Sequence, residues 1–332
     1  MHNRGIHRLA KSLTPTALGL GLALSGCATL ELPAPEDMRP VPELQTAAGA
    51  GEIGALVTLG TRYYRGEGVP QDYEQALKLY RRAAAEKHPL GFYRLGLMYE
   101  YGRAVPQDPA IARGYYRQAA ALGCAKAMFR LGHELYVKAE PTPADYLEAR
   151  RWFEQAARAG DRDGMYNLGV MLLNGQGGVK APAAAFDWFM AAAKRGQALA
   201  MHNLGLMYAT GLGTWKDEAE AAKWFERGAK AGDVPSMAMF GEMLMFGQGV
   251  SQDLKRAAEW LGQAAAAGDA QAMFRLGRMH EAGLGVAADR AQARAWYEKA
   301  VAQGSAAAAT ALAQLSAREN APGEDGRTPP GK

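Results

Sequence analysis

The residues of this chain that could do chemistry are few, and their spacing separates them. His88, His133, His202 and His280 stand far apart, with no His-Glu-x-x-His among them, and the two cysteines, Cys27 and Cys124, form no Cys-x-x-Cys. Zinc needs three or four such ligands at short spacings, so no metal and no cofactor is expected. Cys124 has no histidine near it in sequence to activate a thiolate, so it reads as a small apolar residue. The segment 175–180 is glycine-rich, but it lacks a preceding strand and a Gly-Lys-Ser/Thr ending. It is a turn, not a phosphate cradle. There is no Gly-x-Ser-x-Gly elbow, so the chain is not expected to be an enzyme. A net charge of +4 over 332 residues is too weak for nucleic acid.

Recognition is the chemistry that remains, and the array described next supplies its columns. Gly60, Gly96, Gly132, Gly169, Gly205, Gly241 and Gly277 are separated by 36 residues, once by 37, and each follows Leu or, at 240, Phe. Nineteen residues on stand Leu79, Tyr115, Trp188, Trp224, Trp260 and Trp296, with Trp152 at twenty. A period of 36 marks a solenoid of small stacked units. Each unit reads as two amphipathic helices, around Ala/Met-x-x-Leu-Gly-x-x-Tyr and Ala-x-x-Trp-x-x-x-Ala-Ala. Gly-x-Gly-Val turns join them, as at 66–69, 247–250 and 283–286. Asp72, Asp108, Asp145, Asp217, Asp253 and Asp289 then stand where they can cap the second helices.

These residues resemble the Sel1-like repeat family, a relative of the tetratricopeptide repeats, over about residues 51–318. The resemblance implies an all-α, right-handed α-solenoid with a concave face that binds proteins or peptides. Seven repeats are expected over 51–304, a C-terminal half-repeat over 305–318 and a disordered tail over 319–332. Repeats 3 and 4 break the turn pattern, with 136–143 in one and Ala181-Pro182 at the capping site of the other. A change of turn geometry is expected there.

On a helical wheel with the Leu-Gly glycine at 0°, the third and second residues before it lie progressively off the core stripe. In the tetratricopeptide relatives these columns line the groove. Carried over, they offer Tyr93, Arg94, Phe129, Arg130, Tyr166, Asn167, His202, Asn203, Phe274 and Arg275 as concave-face binding residues. Asn can bond a peptide backbone, Arg a carboxylate, and the aromatics give apolar area. The alternative is that the rings simply pack, with Arg lying over them.

The N-terminus reads as an address. Arg4, Arg8 and Lys11 precede an apolar run that ends in Leu24-Ser25-Gly26-Cys27. This resembles a bacterial lipobox, implying that 1–26 is a signal peptide and that Cys27 is diacylated (a palmitate-type anchor). Ala28 follows where Asp would favour inner-membrane retention, so the resemblance points to the outer membrane and its periplasmic face. Loss of 1–26 lowers the net charge from +4 to +1, because three bases and no acid go with it. Residues 27–50, with Pro33, Pro35, Pro40 and Pro42, are expected to be an extended tether.

Three functions follow as expectations. The first is a lipid-anchored envelope scaffold with a protein or peptide partner, whose specific form is an assembly factor for a polysaccharide-export or secretion complex. The second is a cell-wall or β-lactam hydrolase, disfavoured because the branch linked to penicillin binding carries a cysteine pair in each repeat. The third is a surface-exposed binding protein.

Overall fold

The computed structural model describes residues 38–320. The expected signal peptide, Cys27 and most of the expected tail lie outside the described residues. Within them are sixteen helices and no strand. The chain divides into two compact units between Gln197 and Ala198.

The first unit holds α1 (Val41–Gly49), α2 (Ile53–Arg65), α3 (Tyr73–Ala85), α4 (Pro89–Tyr101), α5 (Pro109–Ala121), α6 (Ala125–Tyr136), α7 (Pro143–Arg158), α8 (Arg162–Asn174) and α9 (Pro182–Lys194). The second holds α10 (Ala198–Thr210), α11 (Glu218–Lys230), α12 (Val234–Phe246), α13 (Leu254–Ala266), α14 (Ala270–Ala282), α15 (Arg290–Ala302) and α16 (Ala306–Asn320). Inside each unit, every helix packs on its neighbours in the chain, most extensively on its partner in the same repeat. This is the all-α solenoid the period requires.

Capping residues set the helix starts. Asp72 accepts from the Gln75 amide, Asp217 from Ala219 and Glu220, Asp253 from Arg256 and Asp289 from Gln292. Each satisfies a donor the helix itself cannot, at about 1 kcal/mol. Asp161, Asp233 and Asp269 do the same for first helices. Gly66, at φ +74°, closes α2 in the left-handed conformation that a side chain resists.

Three expectations need correction. Residues 41–49, expected to belong to an extended tether, form α1 instead. Pro42 sits in its first turn, where a missing N–H costs nothing. Leu44 and Ala48, four residues apart, are buried in a cluster with Ala55, Leu56 and Leu59 of α2. Asp145 is not the cap of α7. Thr142 is, and Asp145 answers it from three residues on in a reciprocal capping box. Finally, α16 runs through Asn320, two residues past the expected half-repeat. Repeat 4 differs as the sequence suggests: Ala181 opens α9 with no side-chain cap.

Candidate partner-binding face

The interior of each repeat is built on a contact the sequence shows only in half. The Leu-Gly glycine of the first helix lies under a ring from the second. A methyl carbon added to Gly205 would stand 2.6 Å from Cε1 of Phe225, and one on Gly169 2.7 Å from Cε1 of Phe189. The same ring-over-glycine contact joins Gly60 to Tyr80, Gly96 to Tyr116, Gly132 to Phe153 and Gly277 to Tyr297. In repeat 6 the two sizes are exchanged: Phe240 precedes the glycine and Leu261 covers Gly241. Tyr80, Phe153, Phe189, Phe225, Leu261 and Tyr297 are all fully buried.

The covering residue is the one after the tryptophan column. Trp152, Trp188, Trp224 and Trp296 are the conspicuous column in the sequence, but their neighbours Phe153, Phe189, Phe225 and Tyr297 make the seam. The recurring Trp-Phe and Trp-Tyr doublets were the available signal. Trp152, Trp188 and Trp296 are half-buried, where an indole N–H can be satisfied, although Trp224 is buried, and the ring beside each is fully buried.

The predicted binding columns sit around this seam. In five repeats the residue three before the glycine leans on the same ring. Tyr93 lies 5.8 Å from Tyr116, Phe129 5.8 Å from Phe153 and Tyr166 5.8 Å from Phe189, centroid to centroid. His202 meets Phe225 edge-on at 5.5 Å, and Phe274 lies 6.0 Å from Tyr297. So these rings pack on their own repeat, on a partner sequence reasoning did not name. Tyr93, Arg94, Tyr166, Asn167 and Asn203 are buried, whereas Phe129, Arg130, His202, Phe274 and Arg275 are half-buried and present edges.

The polar members of the columns are mostly engaged. Arg130 donates from Nη1 to Glu100 Oε1 at 3.0 Å and from Nη2 to the Tyr101 hydroxyl at 3.3 Å. Tyr116 donates its hydroxyl to Glu100 as well. Burial, together with the nearby Glu100 charge, pushes the Tyr116 phenol far up. Arg275 donates from Nε to Glu242 Oε1 at 2.8 Å. Asn167 donates from Nδ2 to the Asp163 carbonyl at 2.8 Å, four residues back on its own helix.

One cluster has the composition of a hydrolase triad but not its order. His202 Nδ1 lies 3.3 Å from Ser236 Oγ and 3.5 Å from Asp233 Oδ2. The serine hydroxyl donates to Asp233, not to the imidazole, and Ser236 is fully buried. Burial pushes the imidazole pKa down, with Asp233 opposing. Asp233 also accepts the Ser236 amide, so the group is the N-terminal cap of α12. Cys124 is buried, and desolvation pushes its thiol up, away from the nucleophilic thiolate. Among the described residues no three His, Cys, Asp or Glu side chains gather as a metal group, and no helix is long and apolar enough to cross a membrane.

Trp215 is a residue sequence reasoning missed. It is 70% exposed in the turn between α10 and α11, edge-on to Tyr208 at 6.2 Å. It stands ten residues after Gly205, where Pro70 and Pro106 stand after Gly60 and Gly96.

The chain matches the Sel1 repeat family in seven segments, 55–88, 93–124, 125–161, 162–197, 198–233, 234–269 and 270–305, and it belongs to that family. Among solved structures it is similar to a protective antigen present in uropathogenic Escherichia coli strains, described as displaying an SLR fold. The two are 34% identical with a TM-score of 0.75, over 83% of this chain and 59% of that one. It is also similar to a Sel1 repeat protein from Oxalobacter formigenes, at 32% identity and a TM-score of 0.64, over 85% of this chain and 83% of that one. No curated protein sequence matches the chain. The chain therefore spans 59% of the length of the antigen it resembles.

Proposed function

We propose that this Sel1 repeat chain is a lipid-anchored scaffold of the bacterial envelope, held by Cys27 and binding a protein partner through first-helix residues within its units. One observation carries the binding reading. The seam repeats the same contact in every unit, whereas the pair of residues beside it changes from unit to unit: Tyr93-Arg94, Tyr166-Asn167, His202-Asn203, Ala238-Met239. Packing fixes the first set. It leaves the second free to be chosen for a partner. In the first unit the edges of Phe129 and Arg130, and in the second those of His202, Phe274 and Arg275, are the parts a partner reaches.

Site-specific photo-crosslinking tests it. A benzoylphenylalanine at 129 or 274 is expected to give a discrete adduct in intact envelopes, and one at Glu259, exposed on α13, none. Adducts from second-helix positions alone would overturn the face assignment. For the anchor, Cys27→Ala is expected to move the chain from the membrane pellet to the soluble fraction. A variant that stays in the pellet would refute the lipid attachment. An assembly role in a polysaccharide-export or secretion complex is the specific form of this reading, and the identity of the adduct decides it.

A second reading places the chain on the cell surface. It draws on the relative described as a protective antigen. Digestion of the chain by protease on intact cells would favour it over the periplasmic face.

A further inference from the structure

In the first unit, the turns that join first to second helices lie on one edge. A carbon added to Gly68, in the turn after α2, would stand 3.3 Å from Cγ2 of Val41, the first residue of α1. The Arg103 guanidinium, in the turn after α4, lies 5.3 Å from the ring centroid of Tyr73, the first residue of α3. Gly177, in the turn after α8, abuts the backbone of Tyr146 and Leu147 in the first half of α7. Each of these turns sits on the start of the second helix before it. Helix α1 takes that place ahead of repeat 1, so its start, where the chain arrives from Cys27, is on the turn edge too.

The exposed apolar side chains of this unit crowd the same edge. Among its described residues, Met38 stands ahead of α1, Tyr101 at the end of α4 and Ile111 in the first turn of α5. Val137 follows α6, Leu147 lies beside the Gly177 turn, and Val179 precedes α9. Only Leu122, after α5, is at the other edge. Met38 and Val179 are each 83% exposed. Apolar residues scattered singly over a surface need no explanation, but six of seven on one edge do. The second unit, taken by itself, has the same bias. Trp215, Phe246 and Leu284 stand at its turns, and Val301, near the end of α15, stands away from them.

We propose that the turn edge of the first unit rests on the lipid surface that holds Cys27, with its apolar tips in the headgroup layer. The place where the chain enters the fold selects this occupant. Cys27 and Val41 are 14 residues apart, a reach of at most about 50 Å, and the tether joins the fold on this edge. The tips are set apart along separate turns, which suits a soft interface that each enters singly. Lys138 and Lys180 directly follow Val137 and Val179; Asp145 holds Lys138, and the exposed Lys180 is placed to reach a lipid phosphate. Each contact is weak, and the anchor makes it effective by holding the edge at high local concentration. The proposal rests on the anchor reading and adds which edge meets the membrane.

The test uses the full chain extracted from membranes and reconstituted into vesicles of phosphatidylethanolamine and phosphatidylglycerol. A nitrobenzoxadiazole label is placed by Val137→Cys, Val179→Cys or, as the control at the opposite edge, Leu122→Cys; Cys124 is buried. Labels at 137 and 179 are expected to shift to the blue and to lose most of their emission to lipids spin-labelled near the headgroup. The label at 122 should do neither. Equal quenching at all three positions, or none at 179, would overturn the proposal. So would a label at 179 that responds in native envelopes and not in vesicles, since a protein would then cover the edge. If Cys27→Ala releases the chain while labels at 137 and 179 stay unquenched, the anchor stands and this inference falls. If Cys27→Ala leaves the chain in the pellet while those labels are quenched, the anchor falls and the edge contact stands.

Discussion

Within one repeat, the ring-over-glycine seam and the first-helix face beside it are separated by two or three residues, yet they follow different rules. In the seam, seven glycines meet six aromatic rings and one leucine in the same way. In the face, seven repeats carry six different residue pairs, from Val57-Thr58 to Phe274-Arg275. The seam has no slack, because a glycine under a ring leaves no room for even one carbon. The face has slack at Phe129, Arg130, His202, Phe274 and Arg275, which are only half-buried, and less at Tyr93 and Tyr166, which are buried against the seam rings. The difference teaches where selection for shape ends in this chain and where selection for something else can begin.

The strongest way to break that contrast is to empty the seam. Phe225→Ala in α11 is expected to cost about 3–5 kcal/mol, read as a fall in the urea midpoint; a loss below about 1 kcal/mol would show that the ring is not the support described. Filling the seam is next. Gly205→Ala would press a methyl into the Phe225 ring and should cost about 1–3 kcal/mol. Phe225→Leu in that background should recover part of the loss, since repeat 6 already pairs Gly241 with Leu261. A double-mutant cycle with no coupling would contradict the contact.

Caps sharpen the contrast at smaller scale. Asp217→Ala should cost about 1 kcal/mol, and the reverse change at the uncapped start of α9, Ala181→Asp, should gain about 0.5–1 kcal/mol. Equal thermal midpoints for either variant and its parent would argue against the cap geometry. The smallest expected effect is a pH dependence. Burial pushes the Asp161 carboxyl up to about 6. The folded state therefore holds that proton more tightly than the unfolded chain, whose Asp titrates near about 3.9. The contribution to stability is full below about pH 4 and is lost as the pH rises to about 6. Measured against Asp161→Asn, the parent should gain ground on acidification from pH 7 to 4.5; a constant difference would contradict it.

Much of this was legible in the sequence. The 36-residue period, the two helices per unit and five of the six second-helix aspartate caps follow from spacing and from the backbone's need for a partner. Asp145 was misplaced because Thr142, three residues earlier, competes for the same role and wins as the cap. Helix α1 was hidden because its prolines suggested an extended chain, and two buried residues, Leu44 and Ala48, are a short signal. The binding columns were legible as columns but not in depth. Their exposure depends on which of two adjacent aromatics turns inward, and neighbouring helical residues differ by about 100° in direction. Tyr93 and Tyr166 are buried because Tyr116 and Phe189, and not the tryptophan-column neighbours Tyr115 and Trp188, meet them.

Helix α1 also gives the chain a mechanical property. Any pull on the chain ahead of Pro40 is borne first by nine residues, held through Leu44, Ala48 and a 2.9 Å bond from Arg82 to the Ala48 carbonyl. Helix takes up about 1.5 Å per residue and extended chain about 3.3–3.6 Å. Unwinding α1 would therefore pay out about 16–19 Å of slack before the load reached the first glycine seam. It is a fuse, placed ahead of the array and able to spare it.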